Sequence, residues 1–491
     1  MWPRVKSFLF HNTSVRQTLA KNTFWLAVSN VGGRLLRAII IIYAARVLGA
    51  AEWGAFSYAV TLTAMFTILT DFGVNSVLTR EVAKRSELSE QTKYLATALL
   101  LKTALLVPSA MLIVFFGPAM TTIAAAKTIL PIVALILAFD TIRDFGFSAI
   151  RAYEKMELEA RAFLFTNAAI TIFGFIFLVF SPTITAFAWG YALGAGLGAF
   201  MALLPLRGHF RTPFADFRRG LVWPILVSAW PFALSGLLGG LMVNTDVILI
   251  GWMRTAEEVG FYSAAQRTIL LLYIVPGVIA TSIFPLLARL ARQDDAKARR
   301  LVEVTLTLSF LVALPTMAGG ALLAPGIIMT LFGASYLPGA ASFAVLALTL
   351  VSAFTGVILS NVVFAYGERR YLIIYAALGG GLNIILDILL IPILGIVGSA
   401  IATLVVQTIT AAYLLRVTKL VLPFHILPHL KKIIPATIIM AAIVYGLDAI
   451  GVSTVINITL SALVYFAILA TLREPIIREG LRTLGEVRGA A

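Results

Sequence analysis

Runs of about twenty apolar residues follow one another from residue 22 to residue 472, each long enough to cross a hydrocarbon core as a helix. A backbone in lipid must satisfy its own hydrogen bonds, so only helices and closed barrels can span a bilayer. The runs are continuous and lack a two-residue alternation, which argues against a barrel. Charged residues make up 12% of the chain, against about 25% in soluble proteins. The expected fold is all-α: a polytopic membrane protein of about 14 transmembrane helices. Spans are predicted at 22–48, 54–79, 93–116, 127–150, 161–181, 183–206, 222–250, 258–288, 301–325, 337–366, 371–391, 395–417, 432–449 and 453–472.

The positions of the basic residues orient the spans. On one side lie Arg4, Lys6, Arg16 and Lys21, then Arg80, Lys84, Arg85 and Lys93, then Arg151, Lys155 and Arg161. The same side carries Arg207, Arg211, Arg218 and Arg219, then Arg289, Arg292, Lys297, Arg299 and Arg300, then Arg369 and Arg370. Arg416, Lys419, Lys431 and Lys432, then Arg473, Arg478, Arg482 and Arg488 complete it. The opposite loops hold only Lys127 and Arg254. One missed helix would scramble this alternation, so the positive-inside rule places both termini in the cytoplasm. The expected location is the cytoplasmic (inner) membrane. The net charge of +15 is then explained by topology and attraction to anionic lipid, and no nucleic acid partner is expected.

Residues 1–21 are expected to form a cytoplasmic or interfacial segment leading into an uncleaved first span. The absence of cysteine removes disulfides, thiolate metal sites and cysteine nucleophiles. His11, His209, His425 and His429 all fall on the basic side, so no transition-metal site is expected. Trp25, Trp53 and Trp252 sit near span ends, as in interfacial belts. "GAGLGA" (194–199) and "GGG" (379–381) lie inside apolar spans with no G-K-[ST] after them, and read as close helix packing.

An internal repeat divides the chain. "AAEWGAFSYAV" (50–60) follows span 1 and "AEEVGFYSAAQRTI" (256–269) follows span 7. "ALLPLR" (202–207) and "AAYLLR" (411–416) end the corresponding sixth and twelfth spans. An even number of crossings returns each copy to the same side, so two parallel pseudo-symmetric six-helix lobes are expected. The first covers 22–206 and the second 222–418, joined by a basic cytoplasmic linker at 207–221. Spans 13 and 14 with their linker occupy 419–473, and 474–491 is a cytoplasmic tail.

"AARVLGAAEWGAFSYA" (44–59), "DFGVNSVLTREVA" (71–83), "GFYSAAQRTI" (260–269) and "LNIILDILLIPILGIVGSAIAT" (382–403) carry a resemblance. The chain resembles the polysaccharide-exporter branch of the multidrug/oligosaccharidyl-lipid/polysaccharide exporter superfamily over nearly its whole length. The resemblance implies two six-helix lobes around a central cavity, with two extra helices. It also implies movement of a polyprenyl-pyrophosphate-linked sugar from the inner to the outer leaflet. Asp387 departs from the family's usual Asn in the "LNxxLN" pattern.

Charges within the spans are candidate functional groups, because each costs about 2.5–3.5 kcal/mol at a helix centre. Asn30, Arg34 and Arg37 fall within about 60° on one face of span 1, too deep for their heads to reach water by snorkelling. Guanidiniums bind phosphate bidentately and stay charged at any working pH. Arg34, Arg37, Lys102, Arg267 and Asn30 are therefore the expected lining of a cavity for a pyrophosphate-sugar headgroup. The structural alternative for the two span-1 arginines is a buried pair with Asp71. Asp71, Asp140, Arg143, Asp144, Asp246 and Asp387 form a second group, expected to act in ion coupling or as a structural charge cluster. A proton or sodium ion is the only cofactor-like species expected.

The expected partners are a lipid-linked sugar and membrane lipids. A monomer is expected because one chain supplies both lobes; association with polysaccharide-assembly enzymes is the further expectation. A multidrug antiporter for organic cations is the alternative within transport, and should have a net acidic cavity. A membrane enzyme would need catalytic groups on a sizeable outer loop, and the outer loops are short. The topology has a direct test in a chain without native cysteine. In intact cells, Ser181→Cys should react with a membrane-impermeant maleimide and Ser86→Cys should not; the reverse pattern would invert the orientation.

Overall fold

The computed structural model describes residues 15–209 and 213–472. Most of the expected N-terminal segment, with His11, and the tail 474–491 lie outside the described residues. The described chain is helical and contains no strand. In order, the helices are α1 (Val15–Asp71), α2 (Val74–Ala83), α3 (Leu88–Met111), α4 (Ala124–Ala152), α5 (Met156–Phe180) and α6 (Ile184–Leu203). Then come α7 (Arg219–Met253), α8 (Ala256–Leu272), α9 (Ile274–Leu290), α10 (Asp295–Leu322) and α11 (Ala324–Phe332). The last are α12 (Ala340–Ala365), α13 (Arg369–Leu394), α14 (Ile396–Val421), α15 (Leu427–Ala449) and α16 (Thr454–Thr471).

Among the described residues, twelve segments are long and apolar enough to cross a membrane. The two arms of α1 stand apart from these twelve and occupy the places predicted for spans 1 and 2. They meet at Gly49, whose φ of 74° takes the chain out of the helix; glycine reaches that region without steric cost. α1 begins at Val15, earlier than predicted. Lys21 therefore lies inside a helix, buried against Glu157 at 3.0 Å.

The second arm is itself interrupted. It ends at Asp71, passes through Phe72 (φ 43°) and Gly73 (φ 76°), and resumes as α2. A Cβ on Gly73 would lie 2.4 Å from the Ala229 carbonyl of α7. Span 2 is thus broken where α7 passes closest. The acids of the repeated motif serve as helix caps. Glu52 Oε2 accepts from Ile184 N at the start of α6 (3.0 Å). Thr255 and Glu258 form a reciprocal capping box at the start of α8, each backbone N–H donating to the other's side chain at 3.2 Å.

The chain divides into two compact units between Ser263 and Ala264. The repeat places the lobe boundary at 207–221, whereas the packing division falls inside α8. The physical reason is α7, which packs on α1, α2 and α3 of the first unit. In that unit α5 and α6 form a tight pair, and glycine permits it. A Cβ on Gly194 would lie 2.5 Å from the Ile170 backbone, and one on Gly190 2.7 Å from the Phe173 carbonyl. "GAGLGA" is thus a packing seam, as its sequence suggested. Gly381 of the "GGG" stretch differs, with open space where a Cβ would stand. Trp53 also departs from expectation: it is fully buried, against Phe56 and Phe187, and not part of an interfacial belt.

In the second unit, α12 packs on α10 and α14, and α13 on α14. α13 and α14 are separated at Gly395, the break that the sequence placed between spans 11 and 12. α15 and α16 pack on each other, and α15 also on α10, around Leu311, Met440, Val444, Tyr465 and Leu469.

The seam makes a contrast measurable by thermal unfolding in detergent. Gly194→Val should destabilise by about 1–3 kcal/mol through overpacking. Gly381→Ala should be neutral or slightly stabilising, since Ala exceeds Gly in helix propensity by about 1 kcal/mol.

Candidate functional site

The first arm of α1 carries Asn30, Arg34 and Arg37 down one face. Asn30 donates from Nδ2 to Leu26 O (2.8 Å) and lines a cavity of about 410 Å3 in the first unit. The cavity walls include Ser29, Asn75, Arg143, Asp144, Arg151 and Glu159, with the rings of Phe147 and Phe163. Arg34, one turn beyond Asn30, is exposed. Arg37 is half-buried and lies 5.4 Å from the centroid of the Tyr191 ring on α6. Its Nε is buried without a hydrogen-bond partner among the described residues. Neither arginine forms a salt bridge with a described residue.

Lys102, Arg143 and Arg151 differ from these two in being neutralised. Lys102 of α3 is buried, and its Nζ donates to Asp71 Oδ1 (2.8 Å) and Asn75 Oδ1 (2.9 Å). Asp71 Oδ1 also accepts from Asn75 N (3.3 Å). One ammonium thus joins both sides of the break in span 2. The sequence assigned Lys102 to the cavity lining; the structure gives it the partner that Arg34 or Arg37 might have taken. Arg143 donates from its terminal nitrogens to Asp140 and to Asp144, the latter at 2.9 Å. That makes the α4 triplet an internally paired cluster. Arg151 pairs with the buried Glu159, its Nε 2.8 Å from Oε2.

Asp246 is buried and accepts from Tyr262 OH, and Asp387 of the second unit is buried and accepts from Asn383 Nδ2 (2.9 Å). Both are hydrogen-bonded within the fold. Arg267 is half-buried in the second unit. That unit also contains an apolar cleft of about 510 Å3, between α10, α11, α12, α15 and α16, lined by Leu311, Pro315, Leu350, Met440, Val444 and Phe466 among others.

Sequence reading missed Asn75, Ser29, Tyr191 and the Arg151–Glu159 pair. Asn75 stands four residues after Asp71, a spacing that a continuous helix would place on one face, which is the signal that could have found it. The others are brought in by tertiary packing.

A chain of this architecture, with cations that form no salt bridge to a described residue on a membrane-length helix that also lines a polar cavity, has the form of a membrane transporter. The family described as polysaccharide biosynthesis protein matches residues 19–291, more than half of the chain, and the chain belongs to that family. It is 23% identical over 478 residues, 95% of its length and 98% of the relative's, to the probable low-salt glycan biosynthesis flippase Agl15 of Haloferax volcanii. Its fold is that of the lipid II flippase MurJ in an inward closed conformation: TM-score 0.78 at 19% identity, covering 92% of this chain and 99% of that one. An inward-facing multidrug transporter of the MATE family also superposes, at TM-score 0.61 and 18% identity over 85% of this chain and 97% of that one.

Pairing of Lys102 with Asp71 can be measured apart from transport. Lys102→Met leaves a carboxylate without its partner and should lower stability by about 3 kcal/mol or less, Asp71 being partly exposed. Adding Asp71→Asn should restore much of the loss. Additive losses in the double mutant would mean the two side chains are not coupled.

Proposed function

We propose that the chain is a flippase that moves a polyprenyl-pyrophosphate-linked oligosaccharide from the inner to the outer leaflet of the cytoplasmic membrane by alternating access, for cell-surface polysaccharide synthesis. Both termini are cytoplasmic in this reading, and the protein is a carrier with no catalytic step of its own. The observation that carries the reading is the pair Arg34 and Arg37, without a salt bridge to any described residue, on a helix of a polysaccharide biosynthesis protein. An unneutralised guanidinium cannot rest against hydrocarbon. It needs water and, when the cargo arrives, an anion. A pyrophosphate supplies two or three negative charges and the oxygens a guanidinium fork binds.

The division of the cargo follows the chemistry. The pyrophosphate sits at Arg34 and Arg37. The sugar occupies the polar cavity beside Asn30, where charges are already paired and two phenyl rings offer an apolar wall. The polyprenyl tail needs no polar shelter and lies in lipid. A proton or sodium ion resets the cycle, with Asp71, Asp140 or Asp144 as the responsive group. The related multidrug-antiporter reading calls for a cavity that attracts cations, and two unpaired arginines oppose it.

Transport tests the reading. In proteoliposomes loaded with a fluorescent polyprenyl-pyrophosphate sugar, Arg34→Ala with Arg37→Ala should cut leaflet exchange by about a hundredfold, as loss of two charge-assisted contacts implies. Membrane insertion and thermal stability should be retained. Undiminished exchange would reject the assignment of these residues.

A further inference from the structure

The two copies of the repeated motif touch each other reciprocally within the first unit. A Cβ on Gly54 would lie 1.8 Å from the carbonyl oxygen of Ala256, and a Cβ on Gly260 would lie 2.0 Å from the carbonyl oxygen of Ala50. Gly54 corresponds to Gly260 in the repeat, and Ala50 to Ala256, both pairs 206 residues apart. This is the pattern of a two-fold contact, in which residue i meets j′ and j meets i′. At both points the backbones approach so closely that any side chain would hold them apart.

The crossing is laced to its surroundings. The Met120 carbonyl, in the segment between α3 and α4, accepts from Tyr58 OH and from Trp252 Nε1, each at 2.8 Å. Thr122 Oγ1 donates to Gly251 O (3.3 Å), and a Cβ on Gly251 would lie 2.2 Å from the Tyr58 ring. Trp53, Ser57 and Tyr58 are fully buried here. By chain order every one of these turns lies at the membrane face opposite the basic loops.

We propose that this glycine crossing is the outer gate of the transporter, with Gly54 and Gly260 as positioning residues that let the two motif helices seal backbone to backbone. The inference rests on the flippase reading and its orientation. The gate is shut in the state described here, so cargo enters from the cytoplasmic side. Release requires Gly54 to part from Ala256 and Gly260 from Ala50, with loss of the Met120 hydrogen bonds. The motif glycines are then required for closing, not for binding.

The chain has no native cysteine, so Ser57→Cys is a near-isosteric reporter inside the seal. Its alkylation by a membrane-impermeant maleimide added outside should be slow in the otherwise unaltered protein. Gly54→Ala, and separately Gly260→Ala, should speed that alkylation by about tenfold by favouring the open state, while slowing transport. Should those variants fail to fold, Tyr58→Phe with Trp252→Phe removes both donors to Met120 and keeps an aromatic ring at each position. It should speed alkylation in the same direction. Unchanged alkylation in the variants that fold would overturn the proposal and leave the crossing a static scaffold. Labelling needs no substrate. Faster labelling in a protein that moves no lipid-linked sugar would uphold the gate and sink the cargo assignment instead.

Discussion

A charge inside hydrocarbon must be neutralised or wetted, and this constraint sorts the interior of the first unit. Lys21 is held by Glu157, Lys102 by Asp71, Arg143 by Asp140 and Asp144, and Arg151 by Glu159. Three of these pairings join different elements of the bundle, α1 to α5, α3 to the broken second span and the end of α4 to the start of α5, while that of Arg143 lies within α4. They are paid for within the fold and fix its geometry. Arg34 and Arg37 are the exception, standing on one face of α1 without a salt bridge to a described residue. In the proposed reading their field serves a cargo that arrives and departs.

How the molecule is built follows from the same sorting. Lys102 bridges Asp71 and Asn75 across a break at which Phe72 and Gly73 adopt positive φ. A broken helix in a membrane frees backbone groups that need partners, and Asp71 supplies one by accepting from Asn75 N. The break therefore sits where a charged clamp holds it, next to the cavity that Asn75 lines. Shape and polarity in this region depend on one ammonium group.

Much of this was legible in the sequence. The spans and the face shared by Asn30, Arg34 and Arg37 follow from run length and helical period, both local properties. The repeat was legible too, and the reciprocal contact of Gly54 and Gly260 with the opposite copies gives its offset a structural meaning. Partners across helices were not. Lys102 has no acid within a turn or two on its own helix, and Asp71 lies on another, so periodicity could not find it. Trp53 lies near a span end by count but is buried where the motif helix meets α6. The packing boundary at Ser263 was hidden as well, because a sequence repeat records duplication and not which neighbour α7 chooses.

The central claim is that Arg34 and Arg37 hold a phosphorylated headgroup. Equilibrium binding to the purified protein in lipid nanodiscs tests it most directly, with polyprenyl pyrophosphate compared against the uncharged polyprenol. The account predicts saturable binding of the pyrophosphate, weakened by salt and lost when both arginines are replaced by alanine, with the polyprenol unable to compete. Equal binding of the two lipids, or pyrophosphate binding untouched by the double replacement, would contradict it.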